Sequence, residues 1–171
     1  FRKVFFLLKG KFINYVGVDY SKNLISYAIK HNSYKGVNFE CLNINEFDTK
    51  FKFEVILMIG VLHHMPEPEN TINLLKKNLA PGGVIVVNEP QAGNPLISLL
   101  RKIRKKIDNN YSSDQTEFSE TQIRTMFEKN NFNVKTYAQG ILTTPLAESR
   151  ILPNFIGIPL VLISSILDPI L

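Results

Sequence analysis

FEVILMIGVLHHMPEPENTINLLKKNLAPGGVIVVNEP, residues 53–90, is the stretch that most limits what this chain can fold into. Its first run, Phe53 to Ile59, is largely apolar on successive residues, the pattern of a strand buried on both faces in a helix-covered parallel sheet. Gly60 to Asn70 reads as a crossover loop punctuated by Pro66 and Pro68. Ile72, Leu75 and Leu79 then recur at helical spacing, with Lys76, Lys77 and Asn78 on the other face. Pro81-Gly82-Gly83 stops that helix, since proline cannot continue it and glycine accepts the positive φ of a tight return. Val84 to Val87 is a second buried strand. Strand, helix and strand in this order form a right-handed βαβ unit, the building block of an open α/β sheet.

In such sheets ligands bind at the carboxyl ends of the strands. Here those ends carry Gly60-Val61-Leu62-His63-His64 and Asn88-Glu89-Pro90. Glu89 faces the same edge as the histidines, where it either binds substrate or simply ends the strand.

The rest of the chain fits the same architecture. Phe1, Val4, Phe5 and Leu8 lie on one face of a helix that Gly10 ends. Tyr15 to Asp19 is a short strand ending in an acid. Ser21 is a good N-cap for a helix whose inner face is Leu24, Ile25, Ala28 and Ile29. Val37 to Leu42 is a further strand, leading to Asn43. Residues 94–107 form a helix with Leu96, Leu100, Ile103 and Ile107 as its apolar stripe. Ser119 and Gln122 make a capping box for a helix with Ile123, Met126 and Phe127 inward and Asn130-Asn131 at its end. Phe132 to Tyr137 alternates like a strand. We place a main domain over 1–140 and an apolar extension or lid over 141–171.

Charge narrows the function classes. The net charge is +5, but Arg101, Lys102, Arg104, Lys105 and Lys106 supply five positive charges, and without them 15 basic residues face 15 acidic ones. The basicity is one local patch. It reads as a solvated helix face or as an interfacial helix on anionic lipid. No aromatic residues are interleaved as stacking platforms, which argues against nucleic acid. Residues 155–171 are apolar but shorter than the ~20 needed to span a bilayer, and Gly157, Pro159 and Asp168 interrupt them. The single cysteine, Cys41, excludes an internal disulfide framework and fits a reducing, cytoplasmic compartment, and no zinc-ligand spacing is present.

Three positions invite chemistry. Asp19, at a strand's carboxyl end, either accepts from both ribose hydroxyls of a nucleoside or caps the helix that begins near Ser21. Asn43, which follows a strand, reads from the residues alone as a turn asparagine with an amide that can both accept and donate. His63 or His64 either takes a proton as a general base, lines a site, or caps the loop.

The strand leading to G-V-L-H-H, the proline-broken loop, L-x-P-G-G and the apolar strand ending in E-P together resemble the class I S-adenosylmethionine-dependent methyltransferases, in particular those acting on small molecules, quinones and lipids. G-V-D-Y-S at residues 17–21 matches that family's second motif. The resemblance covers about residues 4–138. It implies a Rossmann-like, mostly parallel sheet with helices on both faces, whose first strand and glycine loop would precede Phe1 and whose last strand would also be missing. It implies S-adenosylmethionine as cofactor, no metal, and a small acceptor. It assigns the ribose to Asp19, the adenine to Tyr20, Asn43 and Ile44, and the methionine part to Ile59 and Gly60. The family usually carries an aspartate where this chain has Asn43. His63 and His64 would stand beside the transferred methyl as catalytic candidates. Two rivals remain open from the residues alone: a nucleotide-dependent oxidoreductase, which needs G-x-G-x-x-G in a first turn, and a non-catalytic scaffold that keeps the sheet. The expected location is the cytoplasm; the interfacial reading of Arg101 to Lys106, where it holds over the solvated face, adds peripheral membrane contact.

Overall fold

A computed structural model describes residues 10–47, 49–90 and 117–137, together with Leu8, Ala92 and Pro159. The expected first helix (beyond Leu8), the basic helix over 94–107 and the segment 141–171 (beyond Pro159) lie outside the described residues. The chain divides into two compact units, residues 1–59 with 70–87 and residues 60–69 with 88–171.

In the first unit, β1 (Tyr15–Asp19) and β2 (Val37–Cys41) pair in parallel, with Tyr15 opposite Val37 and Asp19 opposite Cys41. The helix α1 (Lys22–Lys30) connects them and packs on both strands. Ser21 caps it, its hydroxyl accepting from the Leu24 N–H at 3.4 Å. Of the expected inner face only Ile25 is buried, while Leu24 and Ile29 are 53% and 56% exposed. Two strands ~4.8 Å apart make a platform narrower than a helix ~10 Å across, so they cover one row of its side chains rather than a wide stripe.

The strand–helix–strand order expected from residues 53–90 is present as β3 (Phe53–Ile59), α2 (Pro68–Asn78) and β4 (Leu79–Asn88), with β3 and β4 hydrogen-bonded to each other. Pro68 opens α2, where its missing N–H costs nothing. The helix ends one residue sooner than its apolar spacing suggests. Leu79 therefore belongs to β4, and the buried face of α2 is Thr71, Ile72, Leu75 and Asn78. Asn78 is accommodated because its side-chain amide donates to the Leu74 carbonyl at 3.3 Å. The expected stop at Pro81-Gly82-Gly83 lies inside β4, where Gly82 takes a positive φ of +75°.

The strands are not buried on both faces. Val55, Val84 and Val86 are 55%, 55% and 44% exposed, and burial alternates along β4 from Gly83 onward. An unbroken apolar run does not separate a strand covered twice from one covered once. Among the described residues no ladder joins the β1–β2 pair to the β3–β4 pair. Strands alternating with helices and a parallel β1–β2 ladder make the architecture α/β, as expected. The unit's core is Ile25, Phe47, Met58, Ile72 and Leu75.

The second unit holds the loop that follows β3, the segment that follows β4, and the helix α3 (Glu120–Lys129). The capping box at Ser119 is complete: its hydroxyl accepts from the Gln122 N–H at 3.2 Å and its N–H donates to Gln122 Oε1 at 2.8 Å. Asn131 closes the helix in the left-handed conformation, at φ 59°. Phe132 to Tyr137 alternates in burial as a strand would, but no ladder forms among the described residues. Side chains of α3 hold the segment instead. Arg124 donates to the Val134 carbonyl at 3.2 Å and to Thr136 Oγ1 at 2.6 Å, and Thr136 donates to Glu120 Oε1 at 2.5 Å. Leu62, Phe118, Met126 and Phe127 are buried. No helix among the described residues is long and apolar enough to cross a membrane.

Candidate functional site

The parallel register brings the carboxyl ends of β1 and β2 side by side, because Asp19 and Cys41 are the last paired residues. Asp19 is half-buried, and its Oδ1 accepts from the Ser21 N–H at 2.9 Å. Its second oxygen has no partner among the described residues. The two sequence readings of Asp19 are thus compatible: one oxygen holds the entry to α1, and the other can accept from a hydroxyl. Tyr20, next in the chain, is 81% exposed, so its ring is available for stacking. The Cys41 thiol lies 3.6 Å from the Tyr20 carbonyl oxygen and donates to it.

Asn43 adopts the turn role. Its Oδ1 accepts from the Asn45 N–H at 3.1 Å and starts the short 3-10 turn Ile44–Glu46. The side-chain NH2 and the second carbonyl lone pair remain on an exposed residue. Sequence reasoning missed what holds this turn in place. Thr71, fully buried in the first turns of α2, donates through Oγ1 to Asn45 Oδ1 at 3.1 Å. Ile44 is half-buried beside Asn43, and Ile59 ends β3 at 42% exposure.

The second unit contains the histidine loop. Gly60 sits at φ +61°, a conformation that side chains disfavour, and its N–H donates to the Asn88 carbonyl at 2.8 Å. The chain then turns over the carboxylate of Glu89. Oε1 accepts from the N–H groups of Val61 and Leu62 at 2.8 and 2.7 Å. Oε2 lies 3.4 Å from the His63 N–H and 2.6 Å from His63 Nδ1. The Glu89 side chain is 1% exposed and that of His63 9%. Glu89 therefore does not face a substrate: three backbone donors and a ring nitrogen occupy it. The signal that could have found it is the acid at the end of a strand neighbouring G-V-L-H-H. The two histidines differ. His63 is buried and held, whereas His64 is exposed and packs its ring on His63 with centroids 4.0 Å apart.

These groups can do three things. Asp19, Tyr20 and Asn43 offer a carboxylate oxygen, an aromatic face and an amide, a set that fits a nucleoside. The Glu89 carboxylate fixes the backbone of the histidine loop. His63 offers a positioned imidazole. Among the described residues no group of three or more His, Cys, Asp or Glu could hold a metal ion.

The model of a family described as a methyltransferase domain matches residues 3–147. No curated protein sequence matches the chain. Solved structures do. A complex of the Trm112 methyltransferase activator from Haloferax volcanii with a protein described as a methyltransferase is similar at 17% identity and a TM-score of 0.62, over 79% of this chain and 57% of that one. An S-adenosylmethionine-dependent methyltransferase from Thermotoga maritima is 20% identical with a TM-score of 0.56, over 70% of this chain and 55% of that one. Magnesium protoporphyrin IX methyltransferase from Synechocystis, with bound S-adenosylhomocysteine, is 17% identical with a TM-score of 0.53, over 72% of this chain and 56% of that one. The chain spans little more than half the length of these structures. At such identities the likeness establishes the fold, the α/β fold of class I methyltransferases.

Proposed function

This chain belongs to the methyltransferase-domain family, and from that premise we propose that it transfers a methyl group from S-adenosylmethionine to a small-molecule acceptor. The observation that carries this reading is the end of the β1–β2 pair, where Asp19 keeps one carboxylate oxygen without a described partner beside the exposed ring of Tyr20. In this reading Asp19 accepts from the ribose hydroxyls and Tyr20 stacks on the adenine. Asn43 meets the adenine edge with its free NH2 and remaining lone pair, and Ile44 covers the ring. Ile59 and Gly60 border the methionine part, largely through backbone.

When bound, the cofactor supplies a methyl group already activated on a sulfonium. The protein's task is then alignment and exclusion of water. An acceptor O–H or N–H gives up one proton as its electron pair bonds to the methyl carbon. His63 and His64 are the candidates to take that proton. A hydrophobic, quinone- or lipid-like acceptor is favoured by the apolar sequence 155–171 and by Arg101 to Lys106, which also suit contact with an anionic membrane surface.

The test is S-adenosylhomocysteine release, followed by mass spectrometry, when the full-length protein meets S-adenosylmethionine and a panel of hydroquinones, phenols and amines. Release with the hydroquinones supports the whole reading. Release with hydrophilic amines alone removes the hydrophobic acceptor and keeps the methyl transfer.

A further inference from the structure

Glu89, a buried carboxylate beneath the histidine loop, has no part in the reaction described above. We propose that it is a positioning residue that acts through His63: it fixes the imidazole with its proton on Nδ1, so that Nε2 presents its lone pair and His63, rather than His64, is the proton acceptor. This rests on the methyltransferase reading for the identity of the reaction, and on geometry alone for the state of the ring.

An ionised carboxylate can only accept, so at 2.6 Å the Nδ1 of His63 must be the donor. In a neutral imidazole the other nitrogen then carries the lone pair. Nε2 has no partner among the described residues, although the side chain is more than nine-tenths buried. Glu89 does not need His63 for its own solvation, because Val61 and Leu62 donate to it at 2.8 and 2.7 Å. The same carboxylate thus holds the backbone on which the imidazole stands and the ring itself, which removes both rotations that could turn Nε2 away. His64 is exposed and has no carboxylate partner among the described residues. In the step itself, the O–H or N–H proton of the acceptor passes to Nε2, and the imidazolium returns it to water after the product leaves.

The experiment is a long-range proton–nitrogen correlation spectrum of the full-length protein labelled with nitrogen-15 in histidine, at a pH where the rings are neutral. The expected result is His63 with Nδ1 protonated and Nε2 bare, and a shift toward protonated Nε2 in Glu89→Gln. An Nε2–H ring in the wild type overturns the inference, as does a Glu89→Gln spectrum unchanged at His63. Kinetics give the second arm. Glu89→Gln and His63→Gln should each lower kcat ~10-fold or more, with little change in cofactor KM, and the double variant should fall no further than His63→Gln. Losses that multiply in the double variant contradict action through His63. If Glu89→Gln does not fold, the wild-type spectrum still decides. The spectrum needs no cofactor. The expected ring without cofactor binding overturns the methyltransferase reading alone, and the wrong ring with intact binding overturns this inference alone.

Discussion

Glu89 Oε2 and His63 Nδ1 meet at 2.6 Å across 26 positions of sequence, and the other oxygen of the same carboxylate takes the N–H groups of Val61 and Leu62. Removing that carboxylate orphans several buried donors at once, each worth about 1–3 kcal/mol. Glu89→Ala should therefore destabilise the protein by ~3 kcal/mol or more in urea unfolding. Glu89→Gln, which keeps one acceptor, should cost less than half of that. Equal costs for the two would mean that the carboxylate's charge and second oxygen do not hold the loop.

Gly60 allows the chain to leave β3 and turn over Glu89. A Cβ there would meet only His63 Cε1 at 3.7 Å, so space is not the obstacle, but φ is +61°. Gly60→Ala should cost ~1–2 kcal/mol from backbone strain, seen as a lower denaturant midpoint at unchanged slope. A neutral substitution would show that the loop can rebuild in another conformation.

Thr71 ties α2 to the turn that begins at Asn43, through Asn45. Thr71→Val keeps the buried shape and deletes the donor. The expected loss is ~1 kcal/mol, while Thr71→Ser, which keeps the hydroxyl, should retain the hydrogen bond and lose only a methyl contact. If valine is tolerated better than serine, the hydroxyl is not what anchors the turn.

Glu120 carries a pH dependence. The Thr136 hydroxyl first, and then the Arg124 guanidinium, stabilise its ionised form and hold its pKa below the ordinary carboxylate value. A group depressed in this way contributes stability that is present above the unfolded value, ~4.3, and is lost as pH falls through the folded value. The difference in melting temperature between the wild type and Glu120→Gln should be present at neutral pH and vanish in acid below that range. A difference that persists at low pH would assign the effect to packing rather than ionisation.

The parts that were legible in the sequence are local. The order strand, helix, strand over residues 53–90 follows from apolar spacing and Pro-Gly punctuation, and the capping box at Ser119 and Gln122 follows from residue types three apart. Asp19 falls at a strand end in the sequence because the strand before it is short and the N-cap after it is clear. The illegible parts depend on partners distant in sequence. The sequence puts Glu89 at the same edge as the histidine loop but does not reveal its bonds to Val61, Leu62 and His63, or that Thr71 reaches Asn45. The open faces of β3 and β4 escaped because Val84 and Val86 look the same in a strand covered once or twice. The segment from Phe132 to Tyr137 has strand alternation, but no ladder forms among the described residues, and Arg124 and Glu120 hold it through side chains.

The central claim is that this fold binds the methyl-donor cofactor through Asp19. The most direct measurement is calorimetric titration of S-adenosylhomocysteine into the full-length protein beside its Asp19→Ala and Asp19→Asn variants. The expected result is binding that Asp19→Ala weakens at least tenfold, ~1.4 kcal/mol. Asp19→Asn, which can still accept from the Ser21 N–H, should fold normally and bind more weakly than the wild type. No binding to a well-folded wild type, or equal binding by all three, would contradict it.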